Sequence, residues 1–192
     1  MAVSLAEKPT LVGEKVLLRP VEVADVATTL EPDPEADRLT GTHQEFSVEV
    51  REHWYATRTD FDDRLDLAVV DRGSGRYVGE AVLNDLDPGN RSCNFRIVLF
   101  YDRNRGRGLG TEATRLILAH AFETVGLHRV ELSVYSFNPR ARRVYDKVGF
   151  VHEGTMRDAL WWDGTWVDAD TMSILDREWA VHRGFPERNP QA

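Results

Sequence analysis

Three glycines, Gly106, Gly108 and Gly110, alternate with Arg105, Arg107 and Leu109 in "RNRGRGLG", between an apolar run and a helical pattern. A strand that runs through such a loop into a long helix gathers free backbone N–H groups, the positive end of a helix dipole and guanidinium groups at one place. That is a pyrophosphate cradle. Glycine matters there because a Cβ would keep phosphate oxygens away from the amides, and because some of these positions need positive φ. Spacing discriminates among cradles. The dinucleotide fingerprint needs G-x-G-x-x-G with an acidic residue about twenty positions on, whereas this loop reads G-x-G-x-G. The nucleoside-triphosphate loop needs a lysine after its last glycine, and Thr111 follows Gly110. The pattern that fits is R-x-x-G-x-G, Arg105 through Gly110.

Other chemistries find less support. The six histidines form no i, i+4 pair with a third ligand nearby, so no metal is expected, and His120 and His128 read as packing or capping residues. The single cysteine, Cys93 in "SCNF", excludes an internal disulfide framework and reads as a buried structural thiol. A net charge of −8 and a pI near 5.3 argue against a nucleic-acid partner and mildly favour a cationic one. Acidic residues bunch early, in "EPDPEAD" (Glu31, Asp33, Glu35, Asp37) and "DFDDRLD" (Asp60, Asp62, Asp63, Asp66), while arginines concentrate later in "RNRGR" and "RARR". Two readings stand: solvated surface runs, or an acidic mouth for an amine opposite a basic one for a phosphorylated cofactor. Glu7, Lys8 and Pro9 interrupt the start where a secretory signal would be apolar, and no later stretch reaches membrane-span length. A cytoplasmic protein with no membrane partner is expected.

The elements that must position the loop can be read from periodicity. At 192 residues, 42% hydrophobic and 29% charged, the chain suits one globular domain over residues 1–192, with a core at about 14–179 and short flexible termini. "KVLLRP" predicts a first strand and "VEVADVATTL" a helix ending before "EPDPEAD". "SVEVREHWYATRTDF" predicts a second helix capped by Ser47. "DLAVVD", "YVGEAVLNDL" and "SCNFRIVLFY", separated by "RGSG" and "DPGN", predict an antiparallel meander. After the loop, Ala113, Leu116, Ile117, Ala121 and Val125 mark a helix stopped by Gly126. "RVELSVY" alternates as a strand, so the loop and helix form a crossover between parallel strands. Asn138 as N-cap, Pro139 at the first turn and Gly149 at the end frame another helix. "FVHEGTM" and "TWVDADTMSIL" predict two closing strands linked by a loop carrying Trp161 and Trp162.

With R-x-x-G-x-G between strand and helix, and "GLHRVELSVYSFNPRARRVYDKVGFVHEGTMRDALWWDGTWVDADTMSIL" after it, the chain resembles the Gcn5-related N-acetyltransferases, in the branch containing the ribosomal-protein N-terminal acetyltransferases. An Asn-led helix, a Gly-Phe stop, "EG" then "RD", and "G-x-W-x-D" follow in that family's order; the likeness spans residues 14–179 and is tight from about 94 to 175. The resemblance implies an α/β fold with a mixed, mostly antiparallel, splayed sheet of about seven strands and about four helices. It implies acetyl-coenzyme A as donor and a primary amine as acceptor, joined directly in a ternary complex.

The resemblance also implies residue roles. Val98, Leu99 and Phe100 would bond the pantetheine arm through their backbone, and Arg105, Gly106, Arg107, Gly108, Leu109, Gly110 and Thr111 would take the pyrophosphate. Asn138 and the helix after it would face the cofactor near its thiol end, and Arg143 on that helix would be a further cofactor-binding residue. Tyr145 is the candidate acid for the leaving thiolate; an aromatic packing under the sheet is its alternative. Relatives carry a glutamate where this chain has Asn94, so Glu80 on the adjacent strand is the candidate base or ammonium anchor, with a surface carboxylate as its alternative and Asp85 behind it. Trp54, Tyr55, Trp161 and Trp162 either pack or border the acceptor entrance. The acceptor is expected to be a peptide or protein N-terminus. A small cationic amine, a succinyl donor and a non-catalytic coenzyme A sensor are the alternatives. A homodimer is expected by family habit.

Overall fold

In the computed structural model, which describes residues 3–183, turn chemistry decides how the strands pair. β1 (Leu11–Val12) and β2 (Val16–Pro20) form a hairpin, and β3 (Leu65–Asp71), β4 (Arg76–Asp87) and β5 (Ser92–Leu99) form the predicted antiparallel meander. Between β2 and β3 lie α1 (Val26–Thr29), α2 (Pro34–Thr40) and α3 (Val48–Thr57), the last capped by Ser47 as predicted. The glycine loop leads into α4 (Leu109–Ala119), which ends in a π turn over His120–Val125 stopped by Gly126 at φ +77°. β6 (Arg129–Tyr135), α5 (Pro139–Val148), β7 (Val151–Trp162), β8 (Thr165–Leu175) and α6 (Asp176–His182) complete the order.

The strands make one sheet in the order β1-β2-β3-β4-β5-β6-β8-β7. Only β5 and β6 run parallel, over Ser92–Asn94 against Arg129–Glu131. This is the predicted crossover. Beyond Asn94 both strands continue, β5 held by β4 and β6 held by β8, but they no longer pair with each other. The sheet splits there into a wedge. The apolar stripe of α4 (Leu109, Ala113, Ile117, Leu118) seals one face of the sheet against Leu67, Ala81, Leu83 and Phe95, all fully buried. Each large side chain so buried contributes about 1.5–3 kcal/mol.

The helix and strand counts exceed the expectation, for local reasons. "DPEADRLTG" reads as a Pro-rich acidic run but folds as α2: Asp33 Oδ1 accepts from the Ala36 amide at 3.1 Å, Pro34 opens the helix and Gly41 ends it at φ +67°. α6 adds a further helix beyond the closing strands; Glu178 accepts from the Leu175 amide at 2.9 Å to start it. Trp161 and Trp162 lie at the end of β7 and not in a loop. The turn is Asp163-Gly164, both at positive φ (47° and 78°), the two-residue hairpin geometry that Asp-Gly favours. The flexible N-terminal stretch is corrected in part: Leu5 is buried in the core and Leu11–Val12 join the sheet. Residues 184–192, expected to be flexible, lie outside the described residues.

Candidate active site

The wedge between β5 and β6 holds a cavity of about 310 Å³, lined by Glu80, Val82, Asn94, Arg96, Ile97 and Val98 on one side and by Ser133, Tyr135, Asn138 and Tyr145 on the other. One backbone edge opens into it. The Phe100 amide donates to Val78 O at 2.9 Å, so the alternating ladder commits Val98 and Phe100 to β4 and turns the polar groups of Ile97 and the amide of Leu99 toward the wedge, the Leu99 carbonyl being taken by Arg105. This corrects the expected set: Leu99 faces the wedge with Ile97, whereas the backbone of Val98 and Phe100 is used within the sheet. An extended diamide can pair with such an edge as a short strand would.

At the end of that edge, α4 begins with no side chain capping it, and its first intrahelical bond runs from Glu112 to Gly108. The amides of Leu109, Gly110 and Thr111 therefore have no backbone acceptor among the described residues and point out of the helix start. Gly106 and Gly108 both hold positive φ, and a Cβ at Gly108 would lie 2.9 Å from Lys15 Nζ. These features fit a pyrophosphate. Arg107 is half-exposed and rests one nitrogen on Asp71 at 2.9 Å; Arg143 is exposed on α5 and makes no ion pair among the described residues. Arg105 departs from expectation. Its amide donates to Asp102 O, and its buried guanidinium bonds Leu99 O at 2.9 Å and Asp33 Oδ2 at 3.3 Å. It clamps the loop from within.

Asn138 caps α5 as predicted, Oδ1 accepting from the Ala141 amide at 3.1 Å, and its residue lines the cavity. Asn138→Ala should cost about 1 kcal/mol of stability, measured as a lowered urea midpoint, and Asn138→Asp should retain most of it. Seven residues on, Tyr145 is 6% exposed, its ring edge-on to Phe95 and Phe150 at 6.3 and 5.7 Å. The packing reading of Tyr145 is met, and the residue also lines the cavity with no hydrogen bond from its hydroxyl among the described residues. Burial pushes its phenol up from the ordinary value of 10.0, so it stays protonated.

Glu80 approaches from the other face of the sheet. Tyr77 donates to its Oε1 at 2.7 Å, Tyr55 makes a short bond to the same oxygen, and the two phenols lie 2.9 Å apart. Burial, then the neighbouring carboxylate, pushes both phenols up, so they remain donors. Tyr77 and Glu80 are three apart and would face opposite ways in a regular strand. A bulge aligns them: Val69 pairs with Gly79 but Val70 with Tyr77, leaving Val78 as an extra residue in β4. Asn94 is tied to Asn84 at 3.1 Å and supplies no base.

Three expected acceptor contacts fall outside the cavity lining. Asp85 sits exposed near the β4–β5 turn at φ +54°, bonded to Asn84. Trp54 packs on Phe46 at 4.5 Å and under Arg58 at 5.3 Å. Trp161 is half-exposed against Trp166 at the β7–β8 turn, while Trp162 stacks on His43 and ties that turn to the α2–α3 segment. None of the eight early acids lines the cavity, and Asp33, Glu35 and Asp66 are paired with Arg105, Arg38 and Arg64. Cys93 is buried in the core, as expected, its thiol pushed up to about 12 by burial.

A splayed sheet with a free strand edge, a glycine loop and an uncapped helix start defines a coenzyme A-dependent acyltransferase. The profile of the Acetyltransferase (GNAT) domain matches residues 15–151, and the chain belongs to that family: it is an N-acetyltransferase whose donor is acetyl-coenzyme A. Among curated relatives, "Probable N-acetyltransferase YjcK" of Bacillus subtilis is 28% identical over 179 residues, 86% of this chain and 97% of its own. "Putative ribosomal N-acetyltransferase YdaF" of the same organism is 32% identical over 117 residues, 59% of this chain and 63% of its own. The spermidine N(1)-acetyltransferase of Vibrio cholerae is 27% identical over 111 residues, 58% of this chain and 64% of its own. A crystal structure of Vibrio cholerae spermidine N-acetyltransferase in complex with CoA and spermine shares the fold, with a TM-score of 0.79 at 22% identity, over 88% of this chain and 99% of that one.

Proposed function

We propose that this chain moves acetyl from acetyl-coenzyme A directly to the α-amine of a peptide or protein N-terminus, acting as a single domain in the cytoplasm, with a homodimer as its assembly. The observation that carries this reading is that Tyr145 and Glu80 line one cavity from opposite faces of the split sheet. Donor and acceptor can then meet in the wedge without a covalent intermediate on the protein. The Leu99 amide and the polar groups of Ile97 pair with the pantetheine arm, and the amides of Gly106 to Thr111, with Arg107 and Arg143, take the phosphates. Glu80 holds the incoming ammonium group and, through water, accepts its proton, because only the neutral amine attacks. The amine nitrogen bonds to the acetyl carbon, the carbon–sulfur bond breaks, Tyr145 protonates the leaving thiolate, and the proton shed by the new amide nitrogen restores the phenol.

The likeness to a spermidine acetyltransferase supports a small polyamine as a second reading. The absence of the eight early acids from the cavity lining weighs against it, since a polycation is held by several carboxylates. Thiol release from acetyl-coenzyme A should be followed with peptides bearing free N-termini, polyamines and aminoglycosides, with succinyl-coenzyme A in parallel. Turnover on peptides is the expected result; turnover confined to polyamines would replace this reading with the second.

A further inference from the structure

On the acceptor side of the wedge one charged side chain makes no ion pair among the described residues. Asp66, Val82 and Arg96 lie in one row across β3, β4 and β5, side by side on the face that carries Glu80. Asp66 is the buried acid of that row, and its oxygens are taken by Arg64 at 2.6 and 2.8 Å, with Arg58 at 3.8 Å. Glu80 is held by Tyr55 and Tyr77, and Asp85 by Asn84. Arg96 lines the cavity and makes no ion pair or hydrogen bond among the described residues. Asp66 is thus committed to Arg64 and Arg58, and the exposed Arg96, two strands away in the same row, is left to engage a group from outside the protein.

From this juxtaposition, and resting on the acetyltransferase reading above, we infer that Arg96 selects acceptors that carry a carboxylate close to the reacting amine, above all N-termini with aspartate or glutamate in the first two residues. Glu80 pairs with Val98 and Val82 with Arg96, so Arg96 and Glu80 stand diagonally on adjacent strands, roughly 7–8 Å apart at the backbone. An acceptor whose ammonium rests on Glu80 can reach Arg96 with a carboxylate a few bonds further along. Arginine presents a planar fork that matches a carboxylate with two hydrogen bonds. The same fork repels a polyamine, which offers only cations. A free amino acid could present the same chemistry through its α-carboxylate.

The test compares kcat/KM for C-terminally amidated peptides beginning Asp-Ala, Ser-Glu and Ser-Ala, for free glutamate and alanine, and for spermidine, in the wild-type protein and in Arg96→Ala and Arg96→Glu. The acidic peptides should exceed Ser-Ala by about tenfold, through KM for the acceptor and not KM for acetyl-coenzyme A. Arg96→Ala should erase that ratio, and Arg96→Glu should invert it in favour of spermidine. Preference for the free amino acids over the peptides would assign the carboxylate to the acceptor's own backbone and keep the role of Arg96. Peptides turned over with no charge preference, or a ratio untouched in Arg96→Ala, would overturn this inference alone. Turnover of spermidine but of no peptide or amino acid would overturn it together with the proposed acceptor.

Discussion

Tyr145→Phe should lower kcat by about 100-fold while leaving KM for acetyl-coenzyme A and folding stability nearly unchanged. The ring of Tyr145 is what the fold uses, since it packs edge-on against Phe95 and Phe150, and phenylalanine keeps that packing. The hydroxyl bonds no protein group among the described residues, and the residue lines the cavity, so deleting the hydroxyl leaves no buried partner unpaired. On the proposed mechanism, what disappears is the proton donor to the leaving thiolate. The pH profile separates this role from packing. An acid must be protonated to act, and burial raises this phenol above its ordinary 10.0, so its ionisation removes no activity between about pH 6 and 9. In that range kcat/KM should rise with pH as the acceptor amine loses its proton. Tyr145→Phe should keep the rising limb at a lower height. Undiminished kcat in the variant would remove Tyr145 as the acid and leave it as a core aromatic.

The parts of this site that can be read from sequence are those made by short-range geometry. The cradle follows from glycines next to a helix start, and the cap at Asn138 from Asn-Pro followed by a helical stripe and Gly149, each a matter of a few consecutive residues. The helix α2 carried the same kind of signal, Asp33-Pro34 at one end and Gly41 at the other, but its acidic composition masked it as a solvated run. What was not legible depends on residues far apart in the chain. The Tyr55–Tyr77–Glu80 cluster needs α3 to lie over β4, and it needs the bulge at Val78 to break the period of two. One local hint existed: Gly79 inside a strand pattern marks a bulge or a close approach, and a Cβ there would fall 2.1 Å from Val98 O. Trp54 and Trp161 were drawn toward the acceptor entrance by residue type alone, yet each satisfies itself against an aromatic neighbour, Phe46 and Trp166.

Arg105 shows how far a motif residue can differ from the role its position suggests, and the difference is measurable. Arg105→Ala should destabilise the protein by about 3 kcal/mol, the largest stability change expected of any single substitution in the loop. The guanidinium is 6% exposed and Asp33 14%, so the pair sits largely out of water. Removing it strands the Leu99 carbonyl, which accepts two of its bonds, and leaves Asp33 with only the amides of Ala36 and Tyr101. Arg105→Met should cost less than alanine because it restores volume, although the buried carboxylate stays uncompensated. Denaturant midpoints of the two variants check this ordering. Coenzyme A binding then separates clamp from ligand. A direct phosphate ligand, lost in Arg105→Met, would weaken binding with little change in the midpoint and flatten its dependence on salt. A clamp lowers the midpoint first, and affinity falls only as the end of β5 loses its hold on α2, with the salt dependence set by Arg107 and Arg143 intact.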